Sequence, residues 1–188
     1  MSHAKLFLAL AFLSAGAARA DCWKPVPAPK SLSFNASQAG APFPGEFKSY
    51  SALLCLDAKD PSRNRLQVQV DMNSVSTDLP EMDDALKGGD FFDTAHWPQA
   101  KFESDSLTLT APGQYKVSGK LTVRDTTRSV SVPFTWTPAA DGKSARLTAK
   151  FTLQRLDYGI GRGQWADTQW VGNPVDLAFA INFVPATQ

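Results

Sequence analysis

The chain has 188 residues, of which 43% are hydrophobic, and a formal net charge of +1 at pH 7. A chain of this length suits one domain that buries enough surface to be stable without cross-links. The near-neutral charge excludes an electrostatic reason to expect nucleic acid or an anionic membrane surface as a partner.

The first twenty residues have the three parts of a secretory signal peptide. Lys5 precedes an apolar run over 6–13, and small residues in an Ala-x-Ala pattern end at Ala20. The apolar run falls short of the roughly 20 residues of a membrane span, and Asp21 stands where a lipoprotein signal has a small residue. We predict cleavage after Ala20 and export of the domain 21–188. Removing the signal takes away two basic residues and no acid, so the net charge falls from +1 to −1.

Cys22 and Cys55 are the two cysteines of the chain. In an exported protein such a pair most simply forms a disulfide, and two separate buried thiols are the alternative. Cys55 is expected on the strand face that points away from the main core, where Cys22 can reach it. No Cys-x-x-Cys or His-x-x-x-His spacing supports a metal site.

The alternation of apolar and polar residues predicts three strands in the first half of the domain. They cover 31–36, 46–57 and 66–72. Residues 23–29 contain three prolines and are predicted to be extended but irregular. Residues 40–45, with two glycines and two prolines, are predicted to be a turn.

Residues 80–87 change to helical spacing, with acids in the first turn and Gly88 and Gly89 after the last. The apolar residues 91–92 and 97–98 follow, so this helix is predicted to act as a lid or cap. An acidic metal or acid–base site is the alternative to a solvated helix start.

The same alternation predicts five further strands, which cover 101–110, 115–124, 129–136, 147–154 and 175–183. The second and third form a hairpin with a turn at 125–127. The apolar residues change phase between Phe102 and Leu107, which predicts a β-bulge near Asp105.

The segment 156–174 is the longest irregular stretch, and it contains four glycines and the aromatic residues Tyr158, Trp165 and Trp170. Loops of this length are uncommon in compact domains unless they serve a site. We therefore expect this loop to border the functional site.

Eight strands with one short helix and no βαβ spacing predict an all-β domain. Eight antiparallel strands can form a sandwich or a closed barrel, and closure removes the unpaired edges. The interior of an eight-stranded barrel is either filled by side chains or open for one small ligand. The residues that face inward are apolar, so a ligand held there should be apolar too.

Several blocks of the sequence resemble the YceI family of bacterial periplasmic lipid-binding proteins. They are 33–34, 42–47, 70–71, 74–77, 90–104, 119–124, 155–161 and 171–175. The blocks 90–104 and 119–124 are together quite specific to the family. The chain departs from the family pattern at 125–130, where the usual glycine and lysine-proline pair are replaced.

The resemblance implies an eight-stranded antiparallel lipocalin-like barrel with one short helix and a long loop before the last strand. It also implies a homodimer and an elongated apolar cavity for a polyisoprenoid chain, such as the tail of a quinone or polyprenyl compound. The candidate wall residues are inward-facing side chains on the predicted strands: Phe34, Tyr50, Leu54, Leu66, Val68, Val70, Phe102, Val117, Leu121, Val132, Phe134, Leu147, Phe151, Leu177, Phe179 and Ile181.

The leading hypothesis is therefore a non-catalytic periplasmic protein that binds an isoprenoid lipid by burial in this cavity and uses no cofactor. A second hypothesis is an interaction module for an inner-membrane partner such as a quinone-using cytochrome, which associations of relatives suggest. A hydrolase is the third. His96 is the one histidine left after signal removal, and neither a Gly-x-Ser-x-Gly elbow nor a histidine–carboxylate constellation accompanies it. We therefore predict that His96 is a loop residue.

Overall fold

The computed structural model describes residues 21–186, so the predicted signal peptide lies outside the described residues. The strands are β1 (Asp21–Val26), β2 (Leu32–Gln38), β3 (Ala41–Phe47), β4 (Tyr50–Leu56), β5 (Arg65–Asp71), β6 (Val75–Ser76), β7 (Gln99–Ala111), β8 (Gln114–Val123), β9 (Thr126–Pro138), β10 (Ala145–Gln154) and β11 (Pro174–Pro185). Helix α1 covers Pro80–Lys87, as predicted. Short 3₁₀ turns lie at Pro61–Arg63, Met72–Ser74, Arg155–Tyr158 and Gly163–Ala166.

Eight of the strands close into an antiparallel barrel. Their order is β1-β4-β5-β7-β8-β9-β10-β11, and β1 pairs back with β11. β2 also pairs with β11, next to the part that β1 covers, and β3 and β6 continue the sheet from β2. The predicted antiparallel barrel is confirmed, and the sandwich is excluded.

Two strands lie where the sequence predicted none. β1 occupies part of the stretch predicted to be irregular, and β3 replaces the turn predicted at 40–45. Pro42 and Pro44 occupy the positions of β3 that do not hydrogen-bond to β2, because the two-residue turn at 39–40 makes Gln38 and Ala41 a bonded pair. Proline is tolerated in a strand where its missing N–H is not needed. The prolines therefore did not rule out strands in these two segments, and the predictions of an irregular segment and a turn were wrong.

The predicted bulge is confirmed, because Asp105 has no cross-strand partner between the pairs Ser104–Gly119 and Ser106–Ser118. The turn between β8 and β9 was predicted at 125–127, and this is corrected. Val123 pairs directly with Thr126, so only Arg124 and Asp125 form the turn. Arg124 has a positive φ of 56°.

The two ends of the barrel differ. At one end, called the plug end below, Trp23, Trp136 and Phe183 pack with ring centroids 5.3 and 5.5 Å apart. The disulfide between Cys22 and Cys55 joins β1 to β4 there, which confirms the predicted bond. The opposite end, called the loop end, carries α1 and the loops 88–98 and 155–173.

Candidate functional site

The barrel encloses a cavity of about 290 Å³. This volume is near the lower bound of the roughly 300–1,000 Å³ of small-molecule sites. The cavity extends from Phe183 beside the plug end to Ile160 and Trp165 at the loop end. It is therefore elongated and narrow, a shape that suits a chain better than a bulky ring system.

All but one of the predicted wall residues line this cavity. The exception is Leu54, which is fully buried and lies opposite Trp23 on β1 and Leu66 on β5. Alternation correctly placed Leu54 on the inner face, but this side chain belongs to the packed plug end. For the other wall residues, contact with a ligand stays a prediction.

Sequence reasoning missed most of the wall at the loop end. Helix α1 contributes Met82, Ala85 and Leu86, which places the predicted lid over the cavity. Other residues missed at this end include apolar side chains of β3, the 3₁₀ turn after β5 and the two loops: Phe43, Phe47, Met72, Phe91, Phe92, Ile160, Trp165 and Val171. The signal that could have found them is the clustering of aromatic residues on both sides of the helix and in the long loop.

Aromatic contacts hold this end together. The ring centroids of Phe47 lie 5.6 Å from Phe34 and 5.8 Å from Phe92. Phe91 lies 5.6 Å from Trp165, which joins the two loops. Aromatic pairs at such centroid separations contribute stabilising free energy beyond that from burying their apolar surface.

The wall offers few polar atoms. The hydroxyl of Tyr50 donates to Ser31 Oγ at 2.7 Å, because Ser31 donates its own proton to the carbonyl of Ala28 at 2.6 Å. Burial raises the pKa of Tyr50. The side chains of Ser37 and Gln38 border the cavity at the loop end. A ligand would therefore meet hydrocarbon along most of its length and polar groups at one end.

Arg155 organises the long loop. Its side chain is buried, and every contact is to a main-chain carbonyl: Nε to Gly172 at 2.9 Å, Nη1 to Ile160 at 2.7 Å and Gly161 at 3.3 Å, and Nη2 to Trp165 at 2.7 Å and Val171 at 2.6 Å. These bonds use all five donors of a guanidinium. Burial lowers the pKa of Arg155. Arg155 therefore holds the loop in shape and has no donor left for a ligand.

Arg124 performs the same role for the loop 88–98. Its Nη1 donates to the carbonyls of Gly89 at 3.1 Å, Phe91, and Gly159 at 3.3 Å, and its Nη2 lies 3.6 Å from Asp93. Burial lowers the pKa of Arg124, and the carboxylate of Asp93 opposes this change. The roof of the cavity is thus held by two buried arginines that bind main-chain oxygen atoms.

The groups considered for catalysis lie outside the cavity wall. The side chain of His96 is 75% exposed and contacts Asp93 through Nδ1 at 2.8 Å. The expectation that no carboxylate accompanies His96 is therefore corrected, although this pair lies at the surface. In the acidic helix start, Asp83 accepts from the main-chain N of Thr77 at 2.6 Å and from its hydroxyl at 2.7 Å. Among residues 21–186, no group of three or more His, Cys, Asp or Glu side chains could hold a metal ion. Nor is any helix in this range long and apolar enough to cross a membrane.

A closed eight-stranded antiparallel barrel around an apolar cavity defines a lipocalin-like barrel, the class that can hold one small ligand. The model of the YceI-like domain matches residues 23–183, and the chain belongs to the YceI family. Protein YceI of Escherichia coli O157:H7 is 29% identical over 144 residues, which are 74% of this chain and 73% of that protein. Protein YceI of Salmonella arizonae is 29% identical over 120 residues, or 62% of each chain.

Solved structures share the fold. BcnA of Burkholderia cenocepacia has a TM-score of 0.75 and 29% identity, with 83% of this chain and 95% of that chain covered. A polyisoprenoid-binding domain from Saccharophagus degradans, implicated in plant cell wall breakdown, has a TM-score of 0.70 and 14% identity, with coverage of 87% and 98%. The YceI protein of Campylobacter jejuni has a TM-score of 0.64, 19% identity and coverage of 77% and 85%.

Proposed function

We propose that this protein is a non-catalytic periplasmic carrier that holds a polyisoprenoid chain, such as a polyprenyl or quinone tail, inside the barrel. The observation that carries the proposal is the long cavity with a hydrocarbon wall from the plug end to the loop end. Family membership and the shared fold of a polyisoprenoid-binding domain support it.

A prenyl chain has no polar handle, so its affinity must come from burial. Removing apolar surface from water contributes about 25 cal/mol per Å², or about 0.8 kcal/mol for each CH₂ group. The wall provides flat and branched surfaces for this contact, including Phe151 and Phe179, which stack at 6.0 Å. Affinity should therefore rise with each added isoprenoid unit until the cavity is full.

The arrangement also favours a neutral head group. The donors of Arg155 are all bound to carbonyls. Lys101, the other cation beside the cavity, is an exposed residue between the inward-facing Ala100 and Phe102, so the wall offers no buried cation that is ready to pair with a phosphate. Ser37 and Gln38 at the loop end can meet a hydroxyl or a quinone oxygen. The prenyl tail of the ligand would then point toward Phe183, beside the plug end.

The test has two stages. Protein purified from bacteria is extracted and analysed by mass spectrometry, and we expect an isoprenoid lipid in molar amounts. Ala149→Phe then fills the cavity from β10 and should lower the affinity for a prenylated benzoquinone at least tenfold. Ala178→Phe makes the same change on the outer face of β11, beside a surface depression, and should leave the affinity unchanged. Lipid-free preparations together with undiminished binding by Ala149→Phe would refute the proposal.

Export to the periplasm fits the disulfide between Cys22 and Cys55, since such bonds persist in oxidising compartments. N-terminal sequencing of the protein from the periplasmic fraction should begin at Asp21. The homodimer and the inner-membrane partner also stay predictions. Light scattering tests the first, and a pull-down that depends on the loop 156–174 tests the second.

A further inference from the structure

One junction in the barrel wall is hydrogen-bonded over only part of its length. β9 and β10 pair between Phe134–Ala149 and Pro138–Ala145, although β9 begins at Thr126 and β10 continues to Gln154. On the other side of each strand the ladder continues. β8 pairs with β9 as far as Thr126, and β10 pairs with β11 as far as Gln154. We call the unpaired part, residues 126–133 of β9 and 150–154 of β10, the open seam.

The register shows why the ladder stops. The N–H of Trp136 donates to Gly113 beside β8 at 2.8 Å, whereas that of Ala139 donates to Ser144 on the β10 side at 2.9 Å. Alternate residues of a strand bond to opposite neighbours, so the odd-numbered residues of β9 face β10. The next bond would need an N–H from Pro133 to the carbonyl of Lys150. Proline has no N–H, so the ladder ends one residue earlier.

On the loop-end side of Pro133, polar main chain borders the seam on the outside of the barrel, and the cavity lies on its inside. Beyond Pro133 and Lys150, the main-chain groups of β9 and β10 that face each other belong to exposed residues, so water can satisfy them: Thr127, Ser129, Ser131, Thr152 and Gln154. The inward side chains along the seam, Val130, Phe151 and Leu153, line the cavity. The hydrocarbon interior is therefore separated from water here by two strands that no ladder holds together.

The seam has defined limits. Toward the plug end it stops at the pair Phe134–Ala149. Toward the loop end, Arg128 within the seam donates from Nε to the carbonyl of Asp157 at 3.2 Å, which bounds the stretch that is free of cross-strand bonds. Six residues of extended chain between Phe134 and Arg128 correspond to roughly 20 Å. This length matches the passage of an extended hydrocarbon chain sideways, without threading it end first.

Two other routes would require bonds or packing to be broken. The plug end is filled by Trp23, Trp136 and Phe183. The roof at the loop end is held by the buried donors of Arg124 and Arg155. Separating β9 from β10 above Pro133 breaks no ladder bond, and the bond of Arg128 involves an exposed side chain.

We propose that the ligand chain enters and leaves the cavity laterally through the open seam, and that Pro133 keeps the seam unzipped. This inference rests on the proposed function, because it concerns how the same cavity is loaded. The loop end then keeps its structure during exchange, and only β9 and β10 move apart.

The first experiment bridges the seam. Continuing the register places Ser131 opposite Thr152, so Ser131→Cys/Thr152→Cys is cross-linked with a short bis-maleimide. The control, Thr135→Cys/Thr148→Cys, is bridged across a pair that is already hydrogen-bonded. The native cysteines form a disulfide and do not react. Release of a short-chain prenylated benzoquinone into excess phosphatidylcholine vesicles is followed by stopped-flow fluorescence.

We expect the bridged seam to slow release and uptake at least tenfold with unchanged equilibrium affinity, and the bridged control to exchange at the wild-type rate. Pro133→Thr, which restores the missing N–H at an exposed position, should slow exchange several-fold without a cross-link. Normal binding with wild-type rates in both seam variants would overturn the lateral route and leave the carrier function intact. Failure of unmodified protein to bind any prenylated compound would refute the carrier function, and the lateral route with it.

Amide hydrogen exchange tests the open seam in unmodified protein. The N–H groups of Thr127, Ser129 and Ser131 should exchange fast, whereas those of Val130 and Val132, which bond to β8, should be protected. Protection of both sets would show that the seam is closed in solution, and it would overturn the proposal.

Discussion

Replacing Arg155 by methionine should destabilise the protein more than any other single change at the loop end. The five hydrogen bonds of this guanidinium end on the carbonyls of Ile160, Gly161, Trp165, Val171 and Gly172. A carbonyl left without a partner in a buried site costs about 1–3 kcal/mol, and some of these will regain water. With two of these carbonyls left dry, we expect Arg155→Met to cost about 3–5 kcal/mol, in the range of a broken buried hydrogen-bond network.

The assay is urea unfolding followed by tryptophan fluorescence. Arg155→Lys keeps the charge but has three donors and no planar fork, so we expect a loss of about 2–3 kcal/mol, between those of Met and wild type. Arg146→Met is the matched control, on the strand β10 that leads into the turn of Arg155, because Arg146 is exposed and makes one long bond of 3.4 Å to Asn182. It should change the free energy of unfolding by less than about 0.5 kcal/mol. A loss below about 1 kcal/mol for Arg155→Met would refute the assigned role, since that is the cost of a single carbonyl.

The remaining predictions concern the disulfide, acid stability and His96. Cys22 and Cys55 are 33 residues apart, so replacing both by serine should lower the free energy of unfolding by about 3–4 kcal/mol, measured in urea without reductant. The main-chain N–H groups of Asp60 and Lys59 hold the pKa of Asp57 below its ordinary value of 3.8. Its stabilising contribution is therefore present above pH 3.8 and is lost as the pH falls through the lower folded pKa. The urea midpoint of Asp57→Asn should fall less steeply between pH 5 and pH 2.5 than that of wild type, and parallel curves would contradict this. Finally, His96→Ala should change the affinity for a prenylated benzoquinone less than twofold, because His96 lies outside the cavity wall. Loss of a measurable hydrolytic activity in that variant would revive the enzyme hypothesis.

Several features of the fold could be predicted from the local spacing of residue types along the chain. The two-residue period of a strand places Val117, Phe134 and Ile181 on the apolar faces of their strands, whichever strand lies beside them. All three line the cavity. The phase change near Asp105 and the glycine after Lys87 are equally local signals. They correctly predicted a bulge and a helix end.

Other features depend on which segments meet. Proline argued against strands at β1 and β3, but the cost of its missing N–H depends on whether a neighbour needs that donor. The same residue type ends a ladder at Pro133 and is harmless at Pro42, and only the register distinguishes the two. Alternation also could not separate Leu54 in the plug from Leu66 in the cavity wall.

The sequence by itself determined the strand faces, the helix and an apolar interior, because these follow from the spacing of side chains along one chain. Only the tertiary structure decided that the barrel closes, that its middle stays hollow and that Arg124 and Arg155 hold the roof. The physical reason is that a cavity and a buried cation are both defined by partners distant in sequence. The carbonyls that satisfy Arg155 come from a folded loop whose shape the side chain itself maintains.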